Sequence, residues 1–281
     1  MKKTRQEFLQ WENKAITLLG MSGVGKTTLS SLLPSDQWFH YSGDYRIGTR
    51  YLDEAILDEV KKMAMEHPFL RAQLCNDSIY IRNNITVNHL GPMSDFLGKI
   101  GNPDLGGLPV DEFKRRQQLY RAAEVHAMFD VDDFIERAQT VYRYSHFIND
   151  AGGSICSFSD EECWNHLSAS TLVLYLEANE DMEEILRERA RRHPKPMNYE
   201  EDFLDQHLTE YLELNDLKSP EEIVPDKFVQ WIFPGLLNWR RPQYRGIAER
   251  HGHIADASKI PALRDQQDFL EFVCEAIEAN P

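Results

Sequence analysis

The chain has 281 residues, of which 42% are hydrophobic and 27% charged, the composition of a folded globular protein. Its 31 Lys and Arg stand against 46 Asp and Glu, a net charge of −15, which argues against duplex DNA or an anionic membrane held by bulk charge. No stretch approaches the ~18 consecutive apolar residues of a membrane span, and the charged N-terminus lacks the apolar core of a secretory signal. We therefore expect a cytoplasmic protein whose four cysteines, none in a Cys-x-x-Cys pair, are reduced thiols.

The first 50 residues have the pattern of an α/β protein. Residues 5–13 are predicted to form a helix, and the apolar run 15–19 is predicted to form a buried strand that ends at Gly20. A glycine-rich turn then leads into a predicted helix over 27–33. A second predicted strand, residues 38–41, ends just before Asp44.

Residues 51–140 have a different character. The sequence predicts an amphipathic helix over 54–65 and two helices within 111–137 that break near Phe129 and Asp130. Residues 98–109 are rich in glycine and predict a loop, which either closes over a ligand or only connects helices. We interpret 51–140 as an inserted, mainly helical cap between two parts of one core, residues 1–50 and 141–281.

The remaining residues return to alternating strands and helices. Strands are predicted at 145–150, 171–177 and 253–256, and helices at 181–192, 203–214 and 265–279. Residues 228–248 are predicted to be helical only in part, because Pro234 and Pro242 interrupt the pattern. The alternation predicts an α/β fold with a mostly parallel sheet flanked by helices.

The most specific motif is the sequence GMSGVGKT at residues 20–27, which satisfies G-x-x-x-x-G-K-[ST] between a predicted strand and a predicted helix. Glycines let successive backbone N–H groups turn toward a polyphosphate, and the helix N-terminus adds positive potential. The motif predicts a P-loop NTPase fold that binds ATP. The predicted nucleotide-binding residues are Gly20, Ser22, Gly23, Val24, Gly25, Lys26, Thr27 and Thr28.

A nucleoside triphosphate also needs Mg²⁺, which prefers oxygen ligands. The Thr27 hydroxyl is one predicted ligand. An acid at the end of a neighbouring strand supplies the second contact, and Asp150 and Asp44 both stand at such ends. Asp150 is our predicted metal ligand together with Thr27. An Asp at either position is also common as a turn residue or a helix N-cap.

Beyond the loop, the sequence resembles the small-molecule P-loop kinases, and among them shikimate kinase. Residues 20–29 match the phosphate loop of that family. The further matches are Asp44 after the second strand, YRAAE at 120–124, DAGG at 150–153 and RRPQY at 240–244. The chain departs from the family pattern in one missing acid before Asp44, in two glycines where the family has three, and in Lys195-Pro196 where the family has Arg-Pro.

This resemblance implies transfer of the γ-phosphoryl group of ATP to a hydroxyl of a small metabolite, with anionic metabolites among the expected acceptors. Lys26 and Asp44 would then be catalytic, with Asp44 orienting or deprotonating the acceptor hydroxyl. The residues that the resemblance assigns to acceptor binding are Asp44, Arg121, Gly152, Gly153 and Arg240. Arg121 and Glu124 are equally typical of an exposed helix pair.

A basic cluster follows the fourth predicted strand. It consists of Arg187, Arg189, Arg191, Arg192 and Lys195. Cations on a closing lid would stabilise the charge of the transferred phosphoryl group, and we take Arg192 and Lys195 as the foremost candidates. The alternative is a solvated helix face, because Glu183, Glu184 and Glu188 stand at pairing distances along the helix.

Two further functions share the same phosphate loop. One is a P-loop ATPase or nucleotide-dependent switch that acts through a protein partner. The other is a nucleotide or nucleoside kinase, with Tyr41, Tyr45 and Tyr51 forming a slot for a base. The expected ligands are thus a nucleoside triphosphate and a small-molecule acceptor, without bulk nucleic-acid or membrane binding; a homo-oligomer is compatible with the composition.

Overall fold

The computed structural model describes residues 1–157 and 161–279; residues 158–160 and 280–281, which belong to the predicted core, lie outside these ranges. The β-strands are β1 Ala15–Leu19, β2 Trp38–Ser42, β3 His146–Asp150, β4 Leu172–Glu177 and β5 Gly252–Asp256. The helices before β3 are α1 Arg5–Gln10, α2 Lys26–Ser31, α3 Gly43–Arg46, α4 Asp53–Glu66, α5 Pro68–Cys75, α6 Gly91–Leu97, α7 Val110–Phe129 and α8 Val131–Thr140. The later helices are α9 Glu161–Ser170, α10 Glu180–Arg192, α11 Glu201–Leu214, α12 Pro225–His251 and α13 Gln266–Ala279.

The strands form one parallel sheet in the order β2-β3-β1-β4-β5. The central strand β1 pairs with both neighbours, so that Ile16 lies opposite Ile148 on one side and Leu172 on the other. Every residue of β1 is buried, because helices cover both faces of the sheet. This confirms the predicted fold class, a parallel α/β sheet that carries a phosphate loop after its first strand.

Two hydrophobic cores hold the helical layers on the sheet. One core joins α7, α8, α9 and α12 to the sheet face that carries Tyr41, Phe147 and Tyr175. The second joins α1, α2 and α13 to the opposite face, which carries Ile16 and Ile148. Because parallel strands end at one edge, the residues that follow β1, β2 and β3 meet there.

The segment 51–140 is helical, but its parts lie in different surroundings. α7 and α8 share the first core with the strands, and the Tyr41 hydroxyl donates a hydrogen bond to the Ala127 carbonyl at 2.6 Å. α5 buries none of its residues. The loop 98–109 packs against residue Ile223, where the Asn102 N–H donates to the Ile223 carbonyl at 2.8 Å. The division into a core and a cap stays a prediction.

The structure corrects one predicted element. α12 is continuous from Pro225 to His251, and both Pro234 and Pro242 lie inside it. Each proline removes one helical hydrogen bond and crowds the preceding turn. The helix continues because it is buried along most of its length, and tertiary packing of this kind overrides local propensity. A third hydrophobic core surrounds α11. α12 therefore reaches from this third core to the sheet.

No helix among the described residues combines the length and the apolar character that crossing a bilayer requires. The four cysteines are free thiols.

Candidate functional site

The phosphate loop has an unusual backbone. Gly20, Gly23 and Gly25 take φ values of +147°, +87° and +113°, which L side chains rarely adopt. A side chain at Gly25 would also press on Ile260, which follows β5. The loop ends where α2 begins at Lys26, so the free N–H groups of the helix lie next to it. Such an arrangement of backbone N–H groups is suited to binding phosphate groups.

The two side chains that follow the loop are already engaged. Lys26 is buried, and its ammonium group donates to the carbonyl oxygens of Gly20 at 2.8 Å and Met21 at 3.4 Å. The Thr27 hydroxyl donates to Oδ2 of Asp150 at 2.7 Å. Phosphate oxygens make stronger, charge-assisted bonds with an ammonium group than carbonyls do. Lys26 can therefore exchange its carbonyl partners for a bound phosphate.

The oxygen donors beside the loop fit Mg²⁺. The Thr27 hydroxyl and the Asp150 carboxylate lie in direct contact, and Mg²⁺ typically takes one or two protein oxygens besides water and phosphate. Across residues 1–157 and 161–279, no three His, Cys, Asp or Glu side chains gather into a metal site. The donor set thus suits a cation held mainly by the phosphates, with Thr27 and Asp150 as the protein contacts.

Asp44 lies at the same edge, in α3 directly after β2. The Tyr120 hydroxyl donates to Oδ1 of Asp44 at 3.3 Å. Burial, and then the negative charge of Asp150, raises the pKa of Asp44, while the charge of Lys26 lowers it. The structure therefore brings Asp44, Asp150 and Lys26 into electrostatic reach of one another, as expected for residues that end neighbouring strands. A carboxylate of raised pKa in this position can accept a proton from a hydroxyl group.

Glu124 faces the glycine turn that follows β3. Its side chain is fully buried, and the Ser154 hydroxyl donates to Oε2 of Glu124 at 2.7 Å. Gly152 lies so close to this carboxyl group that a side chain at 152 would collide with it. Arg121, in contrast, lies 4.0 Å from Glu200. The two members of the predicted pair thus point to different surroundings, and a role for Arg121 in acceptor binding stays a prediction.

The Glu124 carboxyl group predicts a pH dependence of stability. Burial, assisted by the charge of Asp44, raises the pKa of Glu124 from 4.5 to about 7. Between these values the folded protein holds a proton that the unfolded chain has released, so stability falls as pH rises through this window. Glu124→Gln removes the titration. Between pH 5 and pH 8, the free energy of unfolding should therefore fall by roughly 2–3 kcal/mol less in the variant than in wild type.

Urea unfolding at the two pH values measures this difference. Glu136→Gln, on an exposed part of α8, is the control and should retain the pH dependence of the wild-type protein. Equal pH dependence of stability in Glu124→Gln and wild type would contradict the raised pKa of Glu124.

The basic cluster on α10 is mostly paired with acids. Arg187 contacts Glu183 and Glu184, and Arg191 contacts Glu184 and Glu188. The side chain of Arg192, one of the two foremost candidates together with Lys195, is 71% exposed and contacts Glu188 at 2.6 Å. These contacts match the predicted solvated face for three of the four arginines.

Arg189 differs from its neighbours. Within the described ranges it has no carboxylate partner, and its guanidinium group lies against Gly23 of the phosphate loop. The sequence placed Arg189 in the basic cluster but did not single it out, although a signal existed. Arg189 has no acid three or four residues away, whereas Arg187, Arg191 and Arg192 each have at least one. The geometry thus favours Arg189 over Arg192 as the lid cation.

We expect Arg189→Ala to lower nucleotide turnover at least about 10-fold, because a cation beside the transferred phosphoryl group stabilises its transition state. Arg192→Ala is the matched control on the same helix. It should stay within about 2-fold of wild type, since an exposed ion pair contributes little. Steady-state release of phosphate from ATP measures both. Equal losses of turnover in the two variants would contradict the preference for Arg189 over Arg192.

The aromatic residues near the site are held by packing. Tyr41 is buried, and the Tyr51 hydroxyl donates to Oδ2 of Asp130 at 2.7 Å. Arg46 contacts the same carboxylate at 2.7 Å. Tyr45 is exposed. Tyr41 and Tyr51 thus pack toward α7 and α8, and they do not stand as an open slot for a base.

Comparison with known proteins gives one kind of match. No family model matches the chain, and no curated protein matches it. Among solved structures, the chain is similar to shikimate kinase from Bacteroides thetaiotaomicron. The two are 17% identical, the match covers 95% of this chain and 97% of that chain, and the TM-score is 0.38. The strand order and the loop between β1 and α2, described above, establish a parallel α/β fold with a P-loop after its first strand.

Proposed function

We propose that this protein binds a magnesium–nucleoside triphosphate, most simply ATP, and transfers the γ-phosphoryl group to a hydroxyl of a small molecule. One observation carries the proposal. The Thr27 hydroxyl contacts the Asp150 carboxylate at 2.7 Å, directly after a loop whose three glycines take positive φ. This combination supports the proposal, because amide, ammonium and metal-binding oxygen groups beside one another suit a phosphate group and its cation.

In this proposal the loop amides and Lys26 bind the phosphates, and Thr27 and Asp150 hold Mg²⁺. The bound cation would neutralise charge on the phosphate oxygens. Asp44 orients the acceptor hydroxyl and accepts its proton. Arg189 approaches from α10, and the turn at Gly152 and Gly153 borders the acceptor. Closure of α10 over the loop would exclude water from the reacting groups.

A nucleotide-dependent switch that recruits a protein is the second candidate. The segment 63–80 favours it, because Met63, Phe69 and Tyr80 are 59%, 66% and 81% exposed. Large exposed apolar side chains that form a patch are typical of protein interaction sites. A kinase and a switch share the same nucleotide chemistry, so they differ in where the phosphoryl group goes.

Radiolabelled ATP separates the two candidates. Purified protein is incubated with Mg²⁺, [γ-³²P]ATP and fractions of a metabolite extract, and the products are resolved by chromatography. Label on a small organic molecule supports the kinase. Label released only as inorganic phosphate, with every fraction, supports the switch. Calorimetry that detects no uptake of Mg·ATP, Mg·GTP or Mg·CTP would overturn both.

A further inference from the structure

The turn formed by residues 152–154 touches the phosphate loop. A side-chain carbon at Gly153 would come within 3.0 Å of the backbone nitrogen of Ser22. The Ser22 N–H is one of the amides expected to face a bound phosphate. The position of this turn therefore limits the position of that amide.

Two side chains of α12 hold the turn at one atom. The carbonyl oxygen of Gly153 accepts a hydrogen bond from Nη1 of Arg240 at 2.7 Å and from the Tyr244 hydroxyl at 2.8 Å. Arg240 and Tyr244 are four residues apart, so they lie on one face of the helix. The ring of Tyr244 is itself stacked on Tyr175 of β4, with centroids 5.0 Å apart. We call Arg240 and Tyr244 the Gly153 clamp.

The two terminal nitrogens of Arg240 each donate to a backbone carbonyl. Arg240 is 3% exposed, and Nη2 donates to the Asn198 carbonyl at 2.6 Å, beside the bond from Nη1 to the Gly153 carbonyl. These bonds use one N–H group of each terminal nitrogen. A buried carbonyl left without a donor is costly, so the two contacts anchor the guanidinium group.

The other end of the turn is fixed from α7. Glu124 accepts the Ser154 hydroxyl at 2.7 Å, and Gly152 leaves no room between itself and that carboxyl group. The turn is thus held from both α7 and α12, with the phosphate loop on its third side. Movement of the Gly153 carbonyl would be transmitted to Ser22.

We propose that the Gly153 clamp positions the phosphate loop for nucleotide binding, with Arg240 and Tyr244 as positioning residues. The proposal rests on the proposed function for the identity of the bound nucleotide. The effect of the clamp on the loop does not depend on that function.

Two measurements on three variants test the clamp. The variants are Tyr244→Phe, which keeps the stacked ring, Arg240→Lys, and the matched control Arg241→Lys at the adjacent position, where Arg241 is half-exposed and pairs with Glu183. Calorimetry with Mg·ATP and no acceptor should show Kd raised about 5-fold by Tyr244→Phe and at least about 10-fold by Arg240→Lys. Arg241→Lys should bind as wild type does.

Hydrogen exchange without nucleotide provides the second measurement. We expect the peptide covering residues 20–27 to exchange faster in Tyr244→Phe and Arg240→Lys than in wild type and in Arg241→Lys. Unchanged exchange of this peptide in both folded variants would overturn the clamp, whether or not wild type binds nucleotide. Unchanged Kd for Mg·ATP, with loss of phosphorylated acceptor alone, would overturn it in favour of acceptor binding by Arg240. Failure of wild type to bind any triphosphate would instead defeat the proposed function.

Discussion

Lys26→Ala should abolish nucleotide turnover while the protein stays folded. The ammonium group of Lys26 lies at the phosphate loop and donates to the Gly20 and Met21 carbonyls, so its removal takes away the cation nearest the expected phosphates. Loss of one electrostatic contact to a reacting centre typically lowers turnover by about 10²–10³-fold. The fold should persist, because the lost contacts are hydrogen bonds that each contribute only about 1 kcal/mol.

Phosphate release and Mg·ATP calorimetry measure this effect, and circular dichroism follows the fold. Lys14→Ala is a matched control, because Lys14 is also buried and its ammonium group donates to the Trp11 carbonyl at 2.6 Å. Lys14 lies before β1 and away from the loop. Turnover by folded Lys26→Ala at the wild-type rate would remove Lys26 from the mechanism.

Asp44→Asn should reduce phosphoryl transfer far more than nucleotide affinity. Asparagine keeps the shape of the side chain and can still accept from Tyr120, but it cannot take a proton from the acceptor. General-base catalysis typically contributes about 10²–10⁴-fold, so we expect a loss of at least about 100-fold in transfer. The Kd for Mg·ATP should change by less than about 3-fold, since Asp44 contacts no loop amide in our proposal.

Asp150→Asn provides the contrast for this variant. Its carboxylate contacts Thr27, so we expect weaker Mg·ATP binding together with slower turnover. Single-turnover rates and calorimetric Kd values for the two variants separate the roles. Parallel losses of affinity and rate in Asp44→Asn would instead assign Asp44 a role in metal binding or in the stability of the fold.

Local sequence determined most of the secondary structure and the phosphate loop. β1 and β4 are short apolar runs that end at polar residues or glycine, and such runs are buried strands in a parallel sheet. The glycines of residues 20–25 have backbone angles that few other residues adopt, so the motif itself specifies the loop. Helix α10 begins within one residue of its predicted start, because the side chain of Asn179 caps its N-terminus.

The sequence did not determine which polar groups meet around that loop. Arg189 lies against Gly23, 166 positions earlier in the chain, and the arginines beside it on α10 pair with acids. Arg240 reaches the Gly153 carbonyl across 87 positions. α12 passes through two prolines because the buried face of the helix packs in two hydrophobic cores. Local propensity decides which residues form strands, turns and caps, but only the packing of distant helices decides which cation faces the loop and which is held by carbonyls.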